Sequence, residues 1–333
     1  MLVLTFRDIT TARCSAVTTA AMFRLDPVDA AMAWAPTPPP LKLATWSDVG
    51  SALAGKHVCF LIHGFNVDRD QGYTSYGPFS QELGPGRALP GAPLPNPPGP
   101  VDLFCPGVDV VIPVLWAGDS YLPINYPFLL PDIRLTGKYF AQLLASSDAQ
   151  MSRVSFVTHS MGARVMFEAV QQAVVAAQAG GWRLPVFDTA VLTAPAVSDQ
   201  VFDDPDYAAA VDAMQNFVVV SSRADTVLSG WFPLGNAVEQ ALWRNDPGAD
   251  DALGRYGPRL QPDSKALGKT RWFEIPIAVG QNHGDYCPAP WDPTAGFPNG
   301  WSSKSVPIGA LAQAILDRET PAWPPAKPVT AVG

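Results

Sequence analysis

Apolar residues in this chain gather into short continuous runs separated by amphipathic stretches. Val58 to Phe65 reads VCFLIHGF, and Val108 to Trp116 reads VDVVIPVLW. Val154 to Thr158 (VSFVT), Phe187 to Ala194 (FDTAVLTA), Phe217 to Ser221 (FVVVS) and Trp272 to Val279 (WFEIPIAV) follow. Runs rich in β-branched residues, without strict alternation, suit strands covered on both faces. Helical patterns lie between them. Ile133 to Ala145 places Leu135, Tyr139 and Leu143 at a spacing of four, a helical pattern. Gly162 to Gln178 is rich in helix formers and stops at Gly180-Gly181, a C-terminal signal. Asn236 to Trp243 and Pro307 to Asp317 are further helix candidates. Strand and helix in alternation predict an α/β fold with a mostly parallel central sheet flanked by helices.

Proline interrupts this pattern in two places. Pro36 to Pro40 closes one cluster, and residues 84–107 form a longer one containing GPGRALPGAPLPNPPGP. Such stretches lack backbone donors and resist regular structure. The longer one reads as a surface insertion within a single domain spanning residues 1–333, with its core over about 55–320.

Composition narrows the class. The 333 residues are 47% hydrophobic and 16% charged, which excludes a disordered chain. The net charge of −8, with no dense basic patch, argues against a nucleic-acid partner. No apolar run approaches the roughly 20 residues that span a bilayer, and the N-terminus lacks a signal-peptide pattern, so a cytoplasmic location is expected. Cys14, Cys59, Cys105 and Cys287 form no CxxC pair, which disfavours a zinc ribbon or a thioredoxin-like site, and Cys59 falls inside an apolar run as a small buried residue.

In parallel sheets chemistry collects at the carboxyl ends of the strands. After the third run stands Thr158-His159-Ser160-Met161-Gly162, between a strand and a helix. That is the context of a nucleophile elbow, with Thr158 where a glycine is usual. After the first run stand His63-Gly64-Phe65-Asn66, whose bend can aim the Phe65 amide inward. Together with the Met161 amide it would form an oxyanion hole. The chain has four histidines. His57 begins a strand, His63 belongs to the oxyanion loop, and His159 should point away from its neighbour Ser160. His283, in the polar loop Gly280 to Tyr286, is left as the base. Asp225, after the fifth run, is the expected acid, in the order Ser, Asp, His. Asp199 is a rival, and Asp203, Asp204 and Asp206 crowd nearby as a solvated loop or a metal cluster. Asp285 is too local to His283 to orient it.

HGFN at 63–66, THSMG at 158–162, SSRADTVLS at 221–229 and LGRYGP at 253–258 resemble the α/β-hydrolase superfamily of serine esterases and lipases. Within it they resemble the bacterial DUF900-type hydrolases. The resemblance covers roughly residues 55 to 290; residues 1–50 and the proline-rich insertion have no counterpart in it. It implies Ser160 as nucleophile, Asp225 as acid, His283 as base and no cofactor.

The chemistry expected is hydrolysis of a small-molecule carboxylic ester through an acyl-enzyme, with an apolar acyl group. Trp116, Tyr121, Trp231 and Phe232 are the expected walls of the substrate pocket. A thioesterase, amidase or transacylase would use the same triad. Epoxide hydrolase and dehalogenase chemistry would want Asp at position 160. The remaining alternative is a non-catalytic binding protein on the same fold.

Overall fold

The computed structural model describes residues 2–7, 16–24, 42–65, 67, 107–119, 129–145, 150–180, 182–239, 251–287, 305–321 and 323–331. The chain opens with strands β1 (Leu2–Arg7) and β2 (Val17–Arg24) and a two-residue strand β3 (Lys42–Leu43). The six apolar runs follow as β4 (His57–Ile62), β5 (Val110–Leu115), β6 (Arg153–His159), β7 (Val186–Thr193), β8 (Asn216–Ser222) and β9 (Thr270–Ile275). A two-residue β10 (Ala326–Lys327) closes the set.

Among the described residues these strands make one sheet in the order β10-β9-β8-β7-β6-β4-β5-β1-β2-β3. From β9 to β1 every neighbouring pair is parallel; β1–β2, β2–β3 and β9–β10 are antiparallel. The central strands β4, β6 and β8 bury nearly every residue, which explains why their sequences do not alternate. Cys59 is enclosed in β4. The sixth run ends early: Pro276 stops β9, and Ile277–Val279 turns as a 3-10 helix.

The helices are α1 (Trp46–Leu53), α2 (Leu130–Leu144), α3 (Gly162–Ala179), α4 (Ala208–Ala213), α5 (Thr226–Glu239), α6 (Leu253–Tyr256) and α7 (Ser305–Leu316). No helix among the described residues is long and apolar enough to cross a membrane. On α2, Ile133, Thr136, Gly137, Phe140, Ala141 and Leu144 face the core; of the residues spaced by four, Leu143 is buried and Leu135 exposed. Phe140 packs edge-on to Phe60 of β4 at 4.9 Å and against Phe6 of β1 at 5.2 Å. Phe167 of α3 stacks on Phe217 of β8 at 5.9 Å. These rings tie the helices to the sheet whose carboxyl edge carries the site.

Two expectations change in detail. The helix expected over 236–243 runs over Thr226–Glu239 and contains Pro233. The insertion at 84–107 lies outside the described residues up to Gly107, whose N–H bonds to Asp317.

Candidate active site

β6 ends at His159 and α3 begins at Gly162, so the chain must reverse within two residues. Ser160 does this with φ of 55°, a left-handed conformation that costs an L-residue roughly 1–2 kcal/mol. The turn is held by its own backbone: the Ser160 carbonyl accepts from Ala163 (3.2 Å) and Ala196 (3.1 Å), and its N–H donates to Thr193 O (3.0 Å). Gly162 is required because a Cβ there would lie 2.4 Å from the Ile62 carbonyl oxygen and 2.6 Å from that of His63. The start of α3 thus rests directly on the exit of β4. Thr158 is accommodated inside β6, between Ile62 and Leu192, and its carbonyl accepts from the Thr193 hydroxyl at 2.8 Å.

Three side chains from separate strand ends meet above this turn. His283 Nε2 lies 2.8 Å from Ser160 Oγ, and His283 Nδ1 lies 2.7 Å from Asp225 Oδ2. A carboxylate only accepts, so Nδ1 donates to Asp225 and the Nε2 lone pair faces the serine hydroxyl. Asp225 is fully buried, at 0% exposure. Its second oxygen, Oδ1, accepts from the Leu228 N–H at 3.0 Å, in the manner of a helix N-cap. That cap explains why α5 starts at Thr226 in spite of Pro233. It also fixes the carboxylate plane against the histidine.

The base loop has its own clamps. Asn282 and Asp285 form a capping box around the 3-10 turn His283–Tyr286. Asn282 Oδ1 also accepts from the Thr226 N–H (3.2 Å) and hydroxyl (3.0 Å), so the loops that carry Asp225 and His283 are tied together. Ser222 Oγ donates to Gln281 O at 3.1 Å. Asp285 holds the Asn282 N–H at 2.8 Å and shapes the loop rather than the imidazole.

The loop at residues 63–65, where the sequence leads one to expect an oxyanion hole, is braced from beneath. His63 Nδ1–H donates to Gly64 O (2.8 Å), and its Nε2 accepts from the Trp116 N–H (3.1 Å). The Trp116 indole N–H donates to His63 O (2.8 Å), and the two rings stack at 5.6 Å. Gly64 then passes so close to the elbow that a Cβ on it would lie 2.7 Å from Ser160 Cβ. Phe65 follows, half-buried, and Met161 stands beside Ser160 at the N-terminus of α3, where amides have no intrahelical acceptor.

The expected pocket walls divide differently. Trp116 is enclosed beneath the loop at residues 63–65 as part of its brace, its indole bonded to His63 O. Phe232 is buried in the core on α5. Neither presents an open wall. Tyr121 and the side chain of Trp231 lie outside the described residues. The acidic residues beyond β7 have local partners: Asp203 accepts from the Gln261 N–H (2.8 Å) and Asp204 from the Asp206 N–H (2.9 Å). Among the described residues no three His, Cys, Asp or Glu are grouped to hold a metal ion. Asp199 is buried in the loop after β7, where its backbone bonds to Asp251 and Arg259.

Some site residues were not anticipated. His159 does not simply point away from Ser160: its Nε2 lies 2.8 Å from the His283 carbonyl oxygen, with the two rings 4.9 Å apart. Burial, and then the repulsion of His283, lower its pKa to about 3. Tyr286 is enclosed beneath, and burial, reinforced by the Asp225 charge, raises its phenol well above the usual range. LGRYGP, noted in the sequence without a role, forms α6. Leu253 and Gly254 donate to Val197 O and Pro195 O, and Arg255 Nη1 donates to the Asp225 carbonyl. Its glycines and arginine were the available signal.

The family described as "Alpha/beta hydrolase of unknown function (DUF900)" matches residues 47–239, which include residues 63–65, Ser160 and Asp225. Among curated proteins none matches the chain.

Proposed function

This chain belongs to that family of alpha/beta hydrolases, and from that premise we propose that it is a serine hydrolase that cleaves carboxylic esters through an acyl-enzyme on Ser160. One observation carries the reading: an unbroken chain of contacts from Ser160 Oγ through the His283 imidazole to Asp225, at 2.8 and 2.7 Å. Ser160 Oγ attacks the ester carbonyl as His283 Nε2 takes its proton. The amides of Phe65 and Met161 receive the negative oxygen. His283 returns the proton to the departing alcohol. Water then attacks the acyl carbon as it loses a proton to the same nitrogen; the Oγ–acyl bond breaks, His283 passes that proton to Ser160 Oγ, and the acid leaves. Asp225 stabilises the imidazolium while staying ionised. These steps use protein groups and water alone.

An apolar acyl group is supported by the loops that carry acid and base. Val227, two residues beyond Asp225, is exposed, and Ile277, six residues before His283, is 64% exposed. The test is turnover of p-nitrophenyl esters of graded acyl length beside matched thioesters and anilides. The expected result is hydrolysis of the oxygen esters, rising with acyl length and absent in Ser160→Ala. A preference for thioester would move the reading to a thioesterase. A folded chain that turns over none of them would favour the binding protein.

A further inference from the structure

We infer that His159 is a positioning residue that ties the base loop to the nucleophile elbow, by donating its Nε2–H to the backbone carbonyl of His283. The inference rests on the reading of Ser160 and His283 as nucleophile and base.

The geometry joins three loops through one ring. His159 is the last residue of β6, so its backbone leads directly into the Ser160 turn. Its Nε2 is 2.8 Å from His283 O. Its Nδ1 faces the oxyanion loop, where a Cβ on Gly64 would lie 3.1 Å from it. The ring is flanked by His283 at 4.9 Å and Tyr286 at 6.0 Å between centroids. A carbonyl oxygen only accepts, so the proton sits on Nε2 and the ring is the neutral Nε2–H tautomer. Displacement of the base loop by even a fraction of an ångström would lengthen the contact between His283 Nε2 and Ser160 Oγ, on which proton transfer depends.

Neutrality is part of the role. His283 becomes an imidazolium in each turnover, and a second cation beside it would oppose that step. Burial of His159 and its nearness to His283 keep it uncharged, against the opposing effects of its bond to the His283 carbonyl and of Asp225; His63 also faces it. His159 therefore contributes a fixed donor without a competing charge while His283 gains and loses its proton.

The test compares His159→Phe, which keeps a ring and removes the donor, with His159→Gln, whose amide N–H falls near the Nε2 position. In the full-length chain, His159→Phe should lower kcat about 10- to 100-fold with KM within about twofold, and should shift the pKa seen in the pH profile of kcat/KM. The rate of fluorophosphonate labelling at Ser160 should fall in parallel. His159→Gln should recover most of both. Should His159→Phe fail to melt cooperatively, His159→Asn takes its place, because its shorter amide cannot reach the carbonyl. Wild-type labelling together with an unchanged kcat and pH profile in the donor-less variant overturns the positioning role alone. Equal damage from Gln and Phe also overturns it. Absence of labelling in the wild-type chain overturns this inference together with the serine-hydrolase reading.

Discussion

The two ends of the central sheet hold the same three residue types in contact. At the amino ends of the strands, His57 Nε2 lies 2.9 Å from Ser155 Oγ and 3.9 Å from Asp188 Oδ2. At the carboxyl ends, His283 meets Ser160 and Asp225 at 2.8 and 2.7 Å. The difference is in how the ring is used. His283 spends one nitrogen on the acid and the other on the serine, so a proton can pass along a line. His57 presents the same nitrogen to both partners. Ser155 is enclosed in the middle of β6, whereas Ser160 is lifted out of the strand by its positive φ. Asp188 is further engaged by Arg153 and Arg318, each at 3.5 Å. The same residue types thus stand in two different arrangements, and on the proposed reading only separate use of the two ring nitrogens beside a strained serine makes a hydroxyl reactive.

The sharpest break of this comparison is serine against serine. Ser160→Ala should lower ester turnover at least ~10⁴-fold, and Ser155→Ala should leave it within about twofold. Equal effects in a kcat measurement would erase the distinction. The acids come next. Asp225→Asn should lower kcat by about 10³- to 10⁴-fold through the wrong imidazole tautomer. Asp188→Asn should leave kcat near wild type and reduce unfolding free energy by about 1–3 kcal/mol, read by chemical denaturation.

The glycines at either end of β4 sharpen the contrast further. Gly64→Ala places a methyl against Ser160 Cβ and should lower kcat on the order of 10- to 100-fold. Gly55→Ala meets no atom within 4 Å but sits at φ of 71°, so it should cost about 1 kcal/mol of stability and no activity.

One further effect is shared by both ends. Burial lowers the pKa of His57, outweighing the opposing pull of Asp188, and lowers that of His159 to about 3. Both histidines have folded pKa values below the unfolded value of about 6.5. The unfolded chain therefore takes up protons first as pH falls. Their contribution is fully present above about pH 6.5 and is lost on acidification, the His159 part continuing down towards pH 3. Between pH 7 and pH 5 the wild-type chain should lose on the order of 1–2 kcal/mol more than His159→Phe. Denaturation curves at the two pH values that shift equally would contradict this.

Six of the seven parallel strands among the described residues, β4 to β9, were legible because burial leaves continuous apolar runs that survive in the sequence. β1 and β2 were not: β1 is a single six-residue run at the chain start, and β2 (VTTAAMFR) mixes small and polar residues as an outer antiparallel strand can. Apolar residues at 133, 135, 139, 140, 143 and 144 mark α2 as a helix but cover most of its surface, so the sequence does not single out its buried face. α5 was obscured by Pro233; its start depends on the Asp225 cap. Ser160, Asp225, His283 and the HG turn stood out by type, order and position after strands. The His159–His283 contact joins positions 124 residues apart, and Trp116 reads as a pocket aromatic until its indole is seen bonded to His63. Such long-range pairings leave no local pattern.

The central claim is that the contacts at the carboxyl edge make one hydroxyl nucleophilic. Incubation of the folded chain with a fluorophosphonate, followed by peptide mapping by mass spectrometry, tests this most directly. The account predicts a single adduct, on Ser160, formed at a rate that drops at least ~10³-fold in His283→Ala. An adduct elsewhere, or labelling of Ser160 at the same rate without His283, would contradict it.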